Sequence, residues 1–92
     1  MTADERDRLV AVAVAVWQGD TEAVGPLFDL VEEVGLPGCE EALRDYHLRG
    51  AAAVVHAALG VRHGRWDIPA PEGCRACRLL GRLGAPASDW RT

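Results

Sequence analysis

The sequence predicts an all-α fold: a small bundle of three main helices plus a short C-terminal helix. Three observations predict it. Val24, Leu27, Phe28, Val31 and Val34 recur at the spacing of one helix face. Gly19, Gly35, Gly60 and Gly84 each close a helix-compatible stretch. The composition is 49% apolar but only 5% aromatic, so the core is built from Ala, Val and Leu, around which helices pack closely.

The first helix is expected over about Ala3 to Gln18. Thr2 followed by Glu5 is a capping-box pattern, in which the hydroxyl accepts from the Glu5 amide. Val10, Val12, Val14 and Val16 alternate with alanines as a half-buried strand would, but the cap, the alanine content and Gly19 as a stop favour helix. Asp20 or Thr21 can cap the second helix, which Gly35 ends, and Pro26 belongs to its first turn. Leu36-Pro37-Gly38 is a tight connector.

From Cys39 to about Leu59 the spacing predicts the longest helix, amphipathic at first and nearly all apolar from Ala51 onward, as a central helix packed on both sides would be. Gly50 in its interior costs about 1 kcal/mol and predicts a close helix approach. Gly60 to Gly73 reads as a linker, with Trp66 and Ile68 pinning it to the helices. A last helix over about Cys74 to Leu83 is stopped by Gly84 and Pro86. Residues 1–86 form one domain on this reading, and 87–92 a loose tail. The expected core is Leu9, Val12, Val16, Leu27, Phe28, Val31, Val34, Leu43, Val54, Val55, Leu59, Leu79, Leu80 and Leu83.

A chain of 92 residues buries only roughly 60 to 65% of its unfolded surface, so stability gains from a staple or a shared core. All basic residues are Arg, and Asn is absent, a composition expected of a GC-rich bacterial genome. The net charge is -4, but residues 1–60 carry 11 acids and 4 arginines while residues 61–92 carry 3 acids and 6 arginines. The acidic majority disfavours nucleic acid. The acidic N-terminus does not resemble a signal peptide, and the run from Leu9 to Trp17 is too short to span a bilayer, so a cytoplasmic location is expected. Three cysteines there would be reduced, which points to metal binding or redox sensing before a structural disulfide.

Cys74-Arg75-Ala76-Cys77 is the sharpest chemical feature, because two thiols three apart at a helix start share one face and can grip one ion or close one disulfide. A tetrahedral zinc site needs four ligands, and Cys39, His47, His56 and His63 are the available completers. The set chosen from the sequence is Cys39, Cys74, Cys77 and His63, with zinc as the candidate metal. His56, alone in an apolar run, reads first as a histidine satisfied by one hydrogen bond or facing solvent, and second as a ligand. For redox chemistry, a helix N-terminus with Arg75 and Arg78 beside it favours thiolate. Thioredoxin-like proteins place Cys-x-x-Cys after a strand in an alternating strand-helix chain, which this sequence lacks. The Cys…Cys-x-x-Cys order resembles WhiB-type regulators, but the fourth cysteine and the Gly-Trp-Gly-Gly turn of that family are missing, and no function is carried across.

Arg75, Arg78 and Arg82 fall at i, i+3 and i+7 and form a basic stripe suited to an acidic protein surface, either a partner's or that of this chain and its copies. Glu32-Glu33 and Glu40-Glu41 are adjacent pairs about 100° apart on a helix, so neither is a catalytic dyad. No nucleophile triad, phosphate loop or metalloprotease helix is present, and an enzyme is not expected. Phe28 to Leu48 can also be read as a helix-turn-helix, though Glu40 and Glu41 would face phosphates. The sequence thus predicts a small regulatory or scaffold protein acting through protein-protein interaction, with a homodimer expected. Two alternatives stand beside it: a thiol-based redox or metal sensor, and a helix-turn-helix DNA-binding regulator.

Overall fold

The computed structural model describes residues 2–46, 48–61 and 73–84. Among them there are five α-helices and no strand: α1 (Ala3–Trp17), α2 (Val24–Val34), α3 (Cys39–Leu43), α4 (Leu48–Ala58) and α5 (Arg75–Arg82). The fold is all-α, as the periodicity predicts. The expected tail, most of the Gly60–Gly73 linker with Trp66 and Ile68, and His47 and His63 lie outside the described residues.

Local chemistry sets each boundary. The Thr2 hydroxyl accepts from the Glu5 amide at 3.1 Å, which supplies a partner to one of the orphan donors at the start of α1. Asp20 caps a 3-10 turn, Thr21–Ala23, through the Glu22 amide at 3.1 Å, and α2 follows at Val24. Pro26 is the third residue of α2, where a missing N–H forfeits no intrahelical bond. Gly35 ends α2 at φ 70°, a left-handed conformation, with its amide on the Val31 carbonyl at 2.8 Å.

The long helix expected from Cys39 to Leu59 is instead two, α3 and α4, with a turn at 44–46 between them. Unbroken, it would run about 31 Å at 1.5 Å per residue. That is about the molecule's longest dimension, 30 Å. The break returns α3 onto α4, buries Leu43, and sets Tyr46 edge-on to Phe28 with ring centroids 5.3 Å apart. Gly50 permits the fold-back: a Cβ there would stand 3.3 Å from the Ala42 carbonyl oxygen and 3.4 Å from Tyr46 Cβ. The close approach predicted at Gly50 is therefore present, made by the preceding turn and helix.

α4 is the central element, packed on α1, α3 and α5, with eight of its eleven residues buried. Its alanines at 51, 52 and 53, with Ala13 of α1, carry no bulk that would hold the helices apart. All fourteen residues expected in the core belong to it or pack against it, eight of them buried. α5 is tied on more lightly: it buries Ala76, Cys77 and Leu80, and packs on α4. None of the described helices is long and apolar enough to cross a membrane.

Candidate metal centre

Cys74 is the N-cap of α5. Its extended backbone (φ -107°, ψ 118°) swings the side chain over the first turn, where Sγ accepts from the Cys77 amide at 3.3 Å. Ser, Thr, Asp and Asn ordinarily do this with an oxygen, and here a sulfur serves. Cys77 then projects from the same turn, so the two sulfurs sit together by virtue of their spacing. Both residues are buried, as is Ala76 between them, while Arg75 and Arg78 are exposed.

The third member comes from α4. His56 is 4% exposed in a helix that is otherwise apolar along its buried face, and a buried imidazole needs partners. Its Nδ1 lies 2.7 Å from the carbonyl oxygen of Ala52. A carbonyl can only accept, so Nδ1 carries the hydrogen, and in the neutral ring Nε2 is left with its lone pair. Nε2 faces Cys77 Sγ at 3.2 Å. The same arrangement fixes ring tautomer and orientation in metal-ligating histidines, where the non-ligating N–H donates to a backbone carbonyl.

The ligand atoms of His56, Cys74 and Cys77 all lie within 4.8 Å of one another, and all three residues are buried. This group could hold a metal ion. Bond lengths of about 2.0 to 2.3 Å in a tetrahedron place ligand atoms roughly 3.3 to 3.8 Å apart, so small side-chain adjustments would close the cluster on an ion. Two soft thiolates and an imidazole suit zinc and other soft ions over calcium or magnesium.

Of the residues selected from the sequence, the structure brings Cys74 and Cys77 together and joins them to His56. No metal-competent group among the described residues includes Cys39. Its thiol is 2% exposed and donates to the Ala53 carbonyl at 3.9 Å, and burial pushes its pKa up to about 11, which keeps it protonated at neutral pH. His56 was the less favoured completer on sequence grounds. The signal for it was present as the one polar residue in the apolar run 51–59, but which face it occupied depended on where α5 returned.

Arg75, Arg78 and Arg82 are all exposed, on the side of α5 away from Ala76 and Leu80. An ion pair joins Arg6 and Asp7, and none among the described residues involves Arg75, Arg78 or Arg82. The stripe is thus presented outward with no carboxylate of the described fold against it. No family model, no curated protein and no solved structure matches this chain.

Proposed function

We propose that the protein is a small regulatory domain whose C-terminal helix is fastened by a zinc ion held by His56, Cys74 and Cys77, with a fourth ligand from outside this group, and which acts by presenting that helix to a protein partner. The observation that carries this reading is the orientation of His56. One nitrogen is committed to Ala52 and the other is aimed at Cys77, so a basic lone pair meets two thiols in a buried site. Zinc would supply charge to neutralise two thiolates there and a rigid link between α4 and α5.

The link matters because, among the described residues, α5 fully buries only Ala76, Cys77 and Leu80, with Leu79 and Leu83 partly buried, and its other face is the arginine stripe. Fastened, the stripe is rigid and suits an acidic surface on a partner protein or on a second copy of this chain, whose first sixty residues are strongly acidic. The helix-turn-helix reading has less support. α3, which would be the recognition helix, has five residues and opens on exposed Glu40 and Glu41. Reduced thiols and a soft metal favour a cytoplasmic setting.

The test is the native mass of untagged protein purified without chelator, with thiols counted before and after metal removal. One zinc per chain is expected, lost in His56→Ala and Cys77→Ser and retained in Cys39→Ala. A folded wild-type protein that stays metal-free when dialysed against zinc sinks the reading.

A further inference from the structure

The two sulfurs that would serve as ligands are also near enough for side-chain rotation to bring them together. They lie within 4.8 Å of one another on residues three apart. Cys74 precedes the regular helix, so its side chain can rotate without unwinding a turn. The third thiol, Cys39, is engaged with the Ala53 carbonyl of α4, and its burial keeps it a thiol. The chain therefore holds one pair of thiols poised for each other and one set apart.

We propose that Cys74 and Cys77 are a reversible oxidation site for hydrogen peroxide, closing to an intramolecular disulfide. In its metal-coupled form the inference rests on the zinc reading above; the pairing of the two sulfurs stands on their geometry alone. One cysteine, as the thiolate that a bound zinc would favour, attacks a peroxide oxygen. The O–O bond breaks, hydroxide leaves, and a sulfenic acid forms. The second sulfur attacks the first, the S–O bond breaks, and a second hydroxide leaves. The two thiolates lose two electrons, and one peroxide is reduced to two waters after two protons are taken up. A disulfide brings the sulfurs to about 2.05 Å and removes their anionic lone pairs, so His56 alone cannot retain the ion and zinc is released.

Cys74 and Cys77 are 1% and 4% exposed, so oxidation requires α5 to open, and hydrogen peroxide, being small, requires the least opening. Closing the disulfide also takes Cys74 Sγ from the Cys77 amide, so α5 loses its cap together with its metal link. Oxidation would thereby loosen the helix that carries Arg75, Arg78 and Arg82, and couple peroxide to partner binding.

The experiment is a titration of zinc-loaded protein with hydrogen peroxide, reading free thiols, zinc released to a chromogenic chelator, and the linked peptide by mass spectrometry. Thiols counted in samples denatured with chelator are expected to fall from three to one per chain, with one zinc released, a Cys74–Cys77 linkage in the digest, and full recovery on dithiothreitol and zinc. Cys39→Ala should fall from two thiols to none with the same zinc release. His56→Ala, without tight zinc, should still form the linkage. A disulfide in wild-type protein that takes up no zinc on dialysis would uphold the oxidation site while sinking the zinc reading. Zinc retained with both thiols unlinked in excess peroxide, or a linkage through Cys39, would overturn the oxidation site and leave the zinc reading standing.

Discussion

His56 Nδ1 stands 2.7 Å from the carbonyl oxygen of Ala52, one turn back along the same helix, and this bond decides which nitrogen faces Cys77. The donor comes from the ring and the acceptor from the backbone, so no substitution at residue 52 that preserves the helix removes it. The tautomer is set by a contact within α4 itself.

Replacing His56 with alanine should therefore act on the metal first. Loss of a ligand is expected to weaken zinc by at least roughly a hundredfold, since even loss of an outer-shell partner costs 10- to 100-fold. The check is competition against a chromogenic chelator, with far-ultraviolet circular dichroism confirming that α1 and α4 persist. Unchanged affinity would remove His56 from the site.

Chelation should free α5 before it unfolds the bundle. α5 buries only Ala76, Cys77 and Leu80, whereas α4 is buried along most of its length. Hydrogen exchange should show amides of 77–82 losing protection on zinc removal while those of 51–58 keep theirs. Leu80→Ala, at a fully buried position, should cost about 2 to 5 kcal/mol of α5 docking and make that loss appear with zinc still bound. Uniform loss across all helices would mean the ion supports the whole fold.

Cys39 makes stability fall in alkali. Burial raises its thiol pKa from 9.0 to about 11 in the folded chain, so the fold favours the protonated form. The stability this represents is fully present below pH 9 and is lost as pH rises to about 11. Two units at 1.36 kcal/mol each bound the loss at about 3 kcal/mol. Urea midpoints at about pH 8 and about pH 11 should drop further in the wild type than in Cys39→Ala. Equal drops would show that Cys39 ionises freely in the folded state.

Gly50 tests the fold-back of α3. An added methyl would gain about 1 kcal/mol of helix propensity but press on the Ala42 carbonyl at 3.3 Å, so Gly50→Ala should be near neutral. Gly50→Val adds two more carbons to the same gap and should destabilise by about 2 to 3 kcal/mol, read by thermal or urea melting. A stabilising Gly50→Val would mean α3 can swing clear of α4.

Helix starts and stops were legible because short-range chemistry sets them. Thr2 capping Glu5, Asp20 capping the next turn, and Gly35 in a left-handed conformation are each decided within four residues of chain. The turn at 44–46 left no such mark. Neither Gly nor Pro interrupts Arg44-Asp45-Tyr46, and the break goes with tertiary contacts, α3 packing on α4 and Tyr46 meeting Phe28.

By itself the sequence determined the all-α class, the apolar faces, and the juxtaposition of Cys74 with Cys77, since periodicity and i, i+3 spacing are properties of a local helix. Tertiary structure alone decided that α4 and α5 meet where they do, and hence that His56 completes the group. His56 and Cys77 are 21 residues apart, and no local rule relates them. They meet because α5 must bury Ala76 and Leu80 on the bundle, and α4 is the helix it packs against.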